Sequence, residues 1–134
     1  MQLSREATEA NVIVAWERGR LKIGKSWLYG HVIVMPDLIV DDWAVSRPDA
    51  LTLDDLAPAI DRDPEIILLG TGAGTLLPDT RLIAALAERR IGLEIMSTPA
   101  ACRTYNVLVH EQRHVIAALF NFGPVDFHPD KASD

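Results

Sequence analysis

A chain of 134 residues with 13 Lys and Arg against 19 Asp and Glu carries a formal net charge of −6, which is the size of one domain. Its 49% hydrophobic, 24% charged and 6% aromatic residues suffice for a buried core and exclude the apolar-poor profile of a disordered chain. The longest uncharged stretch, Ile66 to Pro78, has 13 residues, short of the roughly 18–20 that span a bilayer, and the scattered basic residues lack the clustered footprint of a nucleic-acid binder.

The first ten residues are polar and read as a tail (1–10), followed by one globular domain (11–122) and a second tail (123–134) mixing Pro, Asp and His without periodicity. Val12 to Trp16 and Leu21 to Ile23 flank Glu17-Arg18-Gly19-Arg20, a hairpin in which the glycine supplies a positive φ. His31 to Met35 is β-branched and stops at Pro36, a third strand, after which the chain alternates loosely toward Trp43. Thr52 caps a helical turn carrying Leu53, Leu56, Ala57 and Ile60, kept short by Pro58, which removes a donor. Glu65 to Leu69 is a continuous apolar run ended by glycine, the pattern of a strand covered on both faces. Pro78 opens a helix with Leu82, Ile83, Leu86 and Ala87 on one face, and Gly92 is placed to end it. Leu93 to Met96 is the next strand, Thr98 the N-cap and Pro99 the first residue of a helix to about His110, and Val115 to Phe120 the last strand. The order predicts an α/β fold: a mixed sheet with an N-terminal β-hairpin and a C-terminal β-α-β-α-β unit, parallel and right-handed at its centre, with helices packed on the sheet.

In such a unit the loops after successive strands emerge at one sheet edge, where open α/β folds bind ligands. Here those loops are Gly70-Thr71-Gly72-Ala73-Gly74 and Ser97-Thr98-Pro99. The second begins a helix whose free N–H groups favour an anion, with Cys102, Arg103, Tyr105 and Asn106 close behind. An anion crevice at Gly70, Thr71, Gly72, Thr98, Cys102, Arg103, Tyr105 and Asn106 stands beside a plainer reading, in which the glycines turn a buried strand and Thr98 only caps. The glycines match neither the dinucleotide fingerprint, which would need a third glycine at Thr75, nor a P-loop. Cys102 is either a thiol activated by the helix start and Arg103 or a small buried hydrophobe. Tyr105 and Asn106 serve either recognition or local hydrogen bonding.

His110-Glu111-Gln112-Arg113-His114 matches a zinc-binding pentapeptide, but only a helix running through it would put both rings on one metal, and a strand follows. No metal and no cofactor are expected. The paired aspartates Asp41/Asp42, Asp54/Asp55 and Asp61/Asp63 read as caps and turns, and Trp16, Trp27 and Trp43 as core or interface anchors. A single cysteine, which leaves no internal disulfide, and an acidic start without an apolar signal core point to a reducing cytoplasm.

The Leu69-Gly70-Thr71-Gly72 loop, the segment from Gly92 to Thr98, Ala101-Cys102-Arg103-Thr104-Tyr105-Asn106 and the trailing Ala117-Ala118-Leu119 together resemble the small domain family of unknown function that includes mitochondrial complex I assembly factor 3 and the adipogenesis-associated domain protein. The resemblance covers roughly Val12 to Phe120, and the chain looks like a bacterial-type member. It implies a compact α/β domain with a mixed sheet and no catalytic residue to carry over. Two functions follow: a non-enzymatic interaction module helping a membrane or respiratory complex to assemble, which calls for an unknown protein partner and an exposed apolar patch, or a binder or enzyme for a small anionic metabolite at the Gly70–Gly74 loop and the Thr98 helix start. Homo-oligomerisation fits both.

Overall fold

The computed structural model describes residues 9–123; the two expected tails lie almost wholly outside the described residues. Strands β1 (Ile13–Glu17), β2 (Arg20–Ile23) and β3 (Ser26–Tyr29) form an antiparallel sheet of their own, with Gly19 at φ 88° in the β1–β2 turn. The second sheet holds β4 (Val32–Met35), β5 (Leu38–Val40), β6 (Ile66–Thr71), β7 (Gly92–Met96) and β8 (Val115–Phe120) in the order β5-β4-β8-β6-β7. β6 runs parallel to both β7 and β8, while β4 is antiparallel to β8 and β5. The helices are a single turn α1 (Ala57–Ile60), α2 (Thr80–Glu88) and α3 (Thr98–His110), with short 3-10 turns at Pro48–Ala50 and Asp54–Leu56.

Alternation along the central strands sorts the core into two layers. On one side Ile33, Ile67, Leu69, Ile116 and Phe120 meet Trp43, Leu56, Ala59 and the α2 residues Leu82 and Leu86. On the other, Val34, Leu68, Ala117 and Leu119 meet Ala101, Cys102 and Tyr105 of α3 together with Leu21 and Ile23 of the small sheet. All six residues of β8 are buried, as its central position between parallel and antiparallel neighbours requires.

Several boundaries differ from the sequence reading, each for a local hydrogen-bonding reason. α2 starts at Thr80, not at Pro78, because the Asp79 carboxylate accepts the Arg81 N–H at 2.8 Å and is the cap. α3 is capped by Ser97, not by Thr98: the Ser97 hydroxyl accepts from Ala100 N at 3.4 Å, and Thr98 is already helical. Gly92 does not end α2; it is the first residue of β7. The helix stops because Arg90, at φ 61°, takes the left-handed position, with Arg90 N bonded to Ala87 O and Ile91 N to Leu86 O. The same device ends α3, where Gln112 stands at φ 63° and Gln112 N and Arg113 N bond to Val109 O and Leu108 O. The His110–His114 pentapeptide therefore contains a chain reversal, and its two histidines do not share a helical turn. Thr52 caps its segment as read, in a reciprocal pair: Asp55 N donates to Thr52 Oγ1 at 3.2 Å and Thr52 N to the Asp55 carboxylate at 3.0 Å.

Candidate functional site

The β6 and α3 termini predicted to form one edge do meet. A side chain on Gly70 would put its Cβ 2.9 Å from the Thr98 Cα and from Leu119 Cδ2, so only glycine lets β6 pass this close under the start of α3. Thr98, fully buried, joins three segments. Its N–H donates to Gly72 O at 2.8 Å, its hydroxyl accepts from Gly72 N at 2.8 Å, and the same hydroxyl donates to Phe120 O at 2.5 Å. Thr71 Oγ1 in turn donates to Gly74 O at 2.6 Å and accepts from Leu76 N at 3.1 Å, which folds the glycine loop onto itself.

This arrangement uses the N–H groups that would receive an anion. Thr98 N is bonded to Gly72 O, Pro99 has no N–H, Ala100 N meets the Ser97 hydroxyl and Ala101 N the Ser97 carbonyl. An anion at this helix start would have to displace Gly72 or Ser97. Cys102 is 5% exposed, and burial pushes its thiol up to about 12 against a smaller opposing effect of Arg103. That is the reverse of an activated thiolate. Tyr105 is fully buried; its hydroxyl donates to Asn11 O at 2.8 Å, and burial raises its pKa. Asn106 fastens β1 to α3 with both arms of its amide, accepting from Ile13 N at 2.9 Å and donating to Ile13 O at 2.7 Å. A side-chain amide thus takes the place of a neighbouring strand on part of the open edge of β1.

The eight predicted residues divide accordingly. Gly70, Thr71, Gly72 and Thr98 form a closed seam. Cys102, Arg103 and Asn106 line a shallow groove of about 260 Å³ between α3 and β1, together with Pro99, Val14 and Trp16. Tyr105 is buried in the core layer on the α3 side of the sheet.

Trp16 also walls a second, smaller pocket of about 40 Å³, which it shares with Arg18, Gly72, Ala73, Phe120, Asn121 and Phe122. Asn121 directly follows β8. Its backbone N–H donates to His31 Nδ1 at 2.8 Å, its side-chain oxygen accepts from Trp16 Nε1 at 3.1 Å, and its side-chain Nδ2 is buried without a partner. Sequence reasoning missed this cluster. The contacts join positions 105 and 90 residues apart, and only the topology, which brings the ends of β1, β6 and β8 together, could have indicated it. A larger cavity of about 430 Å³ lies elsewhere, against Met35, Ile116 and His114, where the Arg62 guanidinium pairs with Asp37 and holds that carboxyl below its usual range.

A mixed five-stranded sheet, a three-stranded sheet joined to it through α3, and a sealed glycine-threonine seam define a single α/β domain. The chain belongs to the family described as Protein of unknown function (DUF498/DUF598), whose model matches residues 13–120. It is 32% identical over 119 residues to the human protein named NADH dehydrogenase [ubiquinone] 1 alpha subcomplex assembly factor 3, covering 87% of this chain and 64% of that protein. The chain thus spans slightly less than two thirds of the human relative's length. Identity is also 32% over 120 residues to the 13 kDa major membrane protein of Francisella tularensis, with 86% of this chain and 95% of that one covered. A solved solution structure from Xanthomonas campestris superposes with a TM-score of 0.80 at 35% identity, covering 92% of this chain and 95% of the other.

Proposed function

We propose that this chain is a non-enzymatic interaction module that holds a partner subunit while a respiratory membrane complex is assembled. The observation that carries the reading is the 32% identity with an assembly factor across 87% of the chain. The geometry is consistent with it. Thr98, Tyr105 and Asn106, the polar residues that looked available for chemistry, hold segments of the domain together, and Cys102 is packed in the core. Exposed apolar side chains flank the β1–α3 junction at Val12, Val14 and Val107, where a partner chain gains by covering them. Among the described residues no helix is long and apolar enough to cross a membrane.

The test is deletion of the gene followed by native-gel sizing of the organism's NADH dehydrogenase. The expected result is loss of the full-size complex with a smaller subassembly accumulating, restored by the wild-type gene. Full-size complex at normal abundance in the deletion strain overturns the reading.

A further inference from the structure

The small sheet turns a basic, aromatic face outward, and this carries an inference that does not rest on the assembly reading. The chain is acidic overall, yet between residues 13 and 29 it has four cations, Arg18, Arg20, Lys22 and Lys25, against one acid, Glu17; the remainder has nine cations against eighteen acids. Strand alternation sorts this segment into two faces. Leu21 and Leu28 pair across β2 and β3 and pack into the core, as does Ile23. The intervening pairs Arg20–Tyr29 and Lys22–Trp27, with Glu17 opposite Arg20, therefore lie on the other face. There the Arg20 guanidinium stands 3.8 Å from the centre of the Trp27 ring and Lys22 Nζ 5.7 Å from it. Tyr29 is 64% exposed, and β3 is an edge strand. Glu17 pairs with Arg20 at 2.8 Å, which leaves excess charge on Lys22 and on Lys25 in the exposed β2–β3 turn. Among the described residues neither lysine forms an ion pair.

We propose that this outer face of β2 and β3 docks on a bilayer bearing acidic lipids, with Lys22 and Lys25 toward the lipid phosphates and Trp27 and Tyr29 at the level of the headgroups. Trp and Tyr have the amphipathic rings that seat in that zone, and lysines beside them gain from the negative potential of the surface. The acidic remainder of the chain is repelled by the same potential, so the domain lands on this sheet and no other face. Single-stranded nucleic acid, the other polyanion that aromatic and basic residues receive, needs a free ring on which to stack a base, and Arg20 already covers Trp27.

The test is sedimentation of the full chain with vesicles of phosphatidylcholine and with vesicles of an equimolar phosphatidylcholine and phosphatidylglycerol mixture. Binding to the mixed vesicles alone, released by raised sodium chloride, is expected. Lys22→Gln with Lys25→Gln weakens it about 25-fold, since each cation near an acidic surface contributes about fivefold, whereas Lys22→Arg with Lys25→Arg keeps the charge and the binding. Arg81→Gln with Arg89→Gln makes the same change in net charge on α2, which packs in the opposite core layer, and alters binding less than about twofold. Native spectra verify the fold of each variant. No binding to the mixed vesicles, equal binding to phosphatidylcholine alone, equal losses in the two Gln pairs, or stronger retention by oligothymidylate than by the mixed vesicles at the same salt overturns the proposal.

Discussion

Where β6 turns toward α3, the polar groups of Thr98 and Gly72 bond to one another and to Phe120, whereas beside Trp16 the Asn121 amide keeps a buried donor unpartnered. Both places lie at one end of the same sheet, and both were built from a strand terminus and a loop. The difference lies in what the neighbouring element supplies. α3 arrives with a hydroxyl that can donate and accept at once, so the seam closes; the small sheet arrives with an indole that can only donate, so one arm of the amide is satisfied and the other is not. A helix start beside a glycine loop is therefore not enough to make an anion site: its N–H groups must also be left unbonded.

The strongest way to break this contrast is Thr98→Val. It keeps the shape but leaves Gly72 N and Phe120 O buried without a partner, and stability should fall by about 2–4 kcal/mol in denaturant unfolding. Thr98→Ser, which retains the hydroxyl, should stay within about 1 kcal/mol of wild type; equal losses for both would mean the hydroxyl is not the joint. Next in size is Gly70→Ala, whose Cβ meets the Thr98 backbone at 2.9 Å and should cost about 1–3 kcal/mol, measured by the same unfolding midpoint. Beside the small sheet, Asn121→Leu deprives Trp16 of its acceptor but also removes the orphaned donor, so the two effects oppose. A change of no more than about 1 kcal/mol is expected, and a loss as large as that of Thr98→Val would erase the distinction between the two places.

The smallest effect concerns Asp79, the α2 cap, whose carboxyl is held at about 2, below its usual 3.8, by the Arg81 side chain first and the Arg81 N–H second. Because the folded state lowers this pKa, the contribution is fully present above 3.8 and lost as pH falls through 2. The half-exposed Asp79 carboxylate is screened by solvent, which keeps the contribution slight. Melting curves of wild type and Asp79→Ala should differ at neutral pH and converge as pH drops across that window; a constant gap would show that the charge is not what the cap contributes.

Local signals made much of this legible. The apolar runs at residues 66–69 and 115–120, the spacing between them and the glycine after β6 gave the parallel unit and brought Gly70, Gly72 and Thr98 to one edge. The strands β3 and β5 were not read, because Ser26–Tyr29 and Leu38–Val40 are four and three residues long and partly exposed, too short for alternation to show. Nor does local pattern decide pairing, so the separation of β1-β2-β3 into its own sheet emerged only from the structure. The eight candidate residues lie close in space, and several of them are bonded within the domain: Asn106, read as serving either recognition or local hydrogen bonding, holds the backbone of Ile13, while Asn121, reached through contacts some 100 residues long, carried no local signal at all.

The account rests on the α3 seam being structural, and Cys102 reports on it directly. Alkylation of the native protein across pH should be negligible until unfolding exposes the thiol, in keeping with a group 5% exposed whose pKa burial raises to about 12. Rapid native labelling with an apparent pKa below the free-thiol value of about 8.5, slowed by added phosphate, would show an open, anion-binding helix start and contradict it.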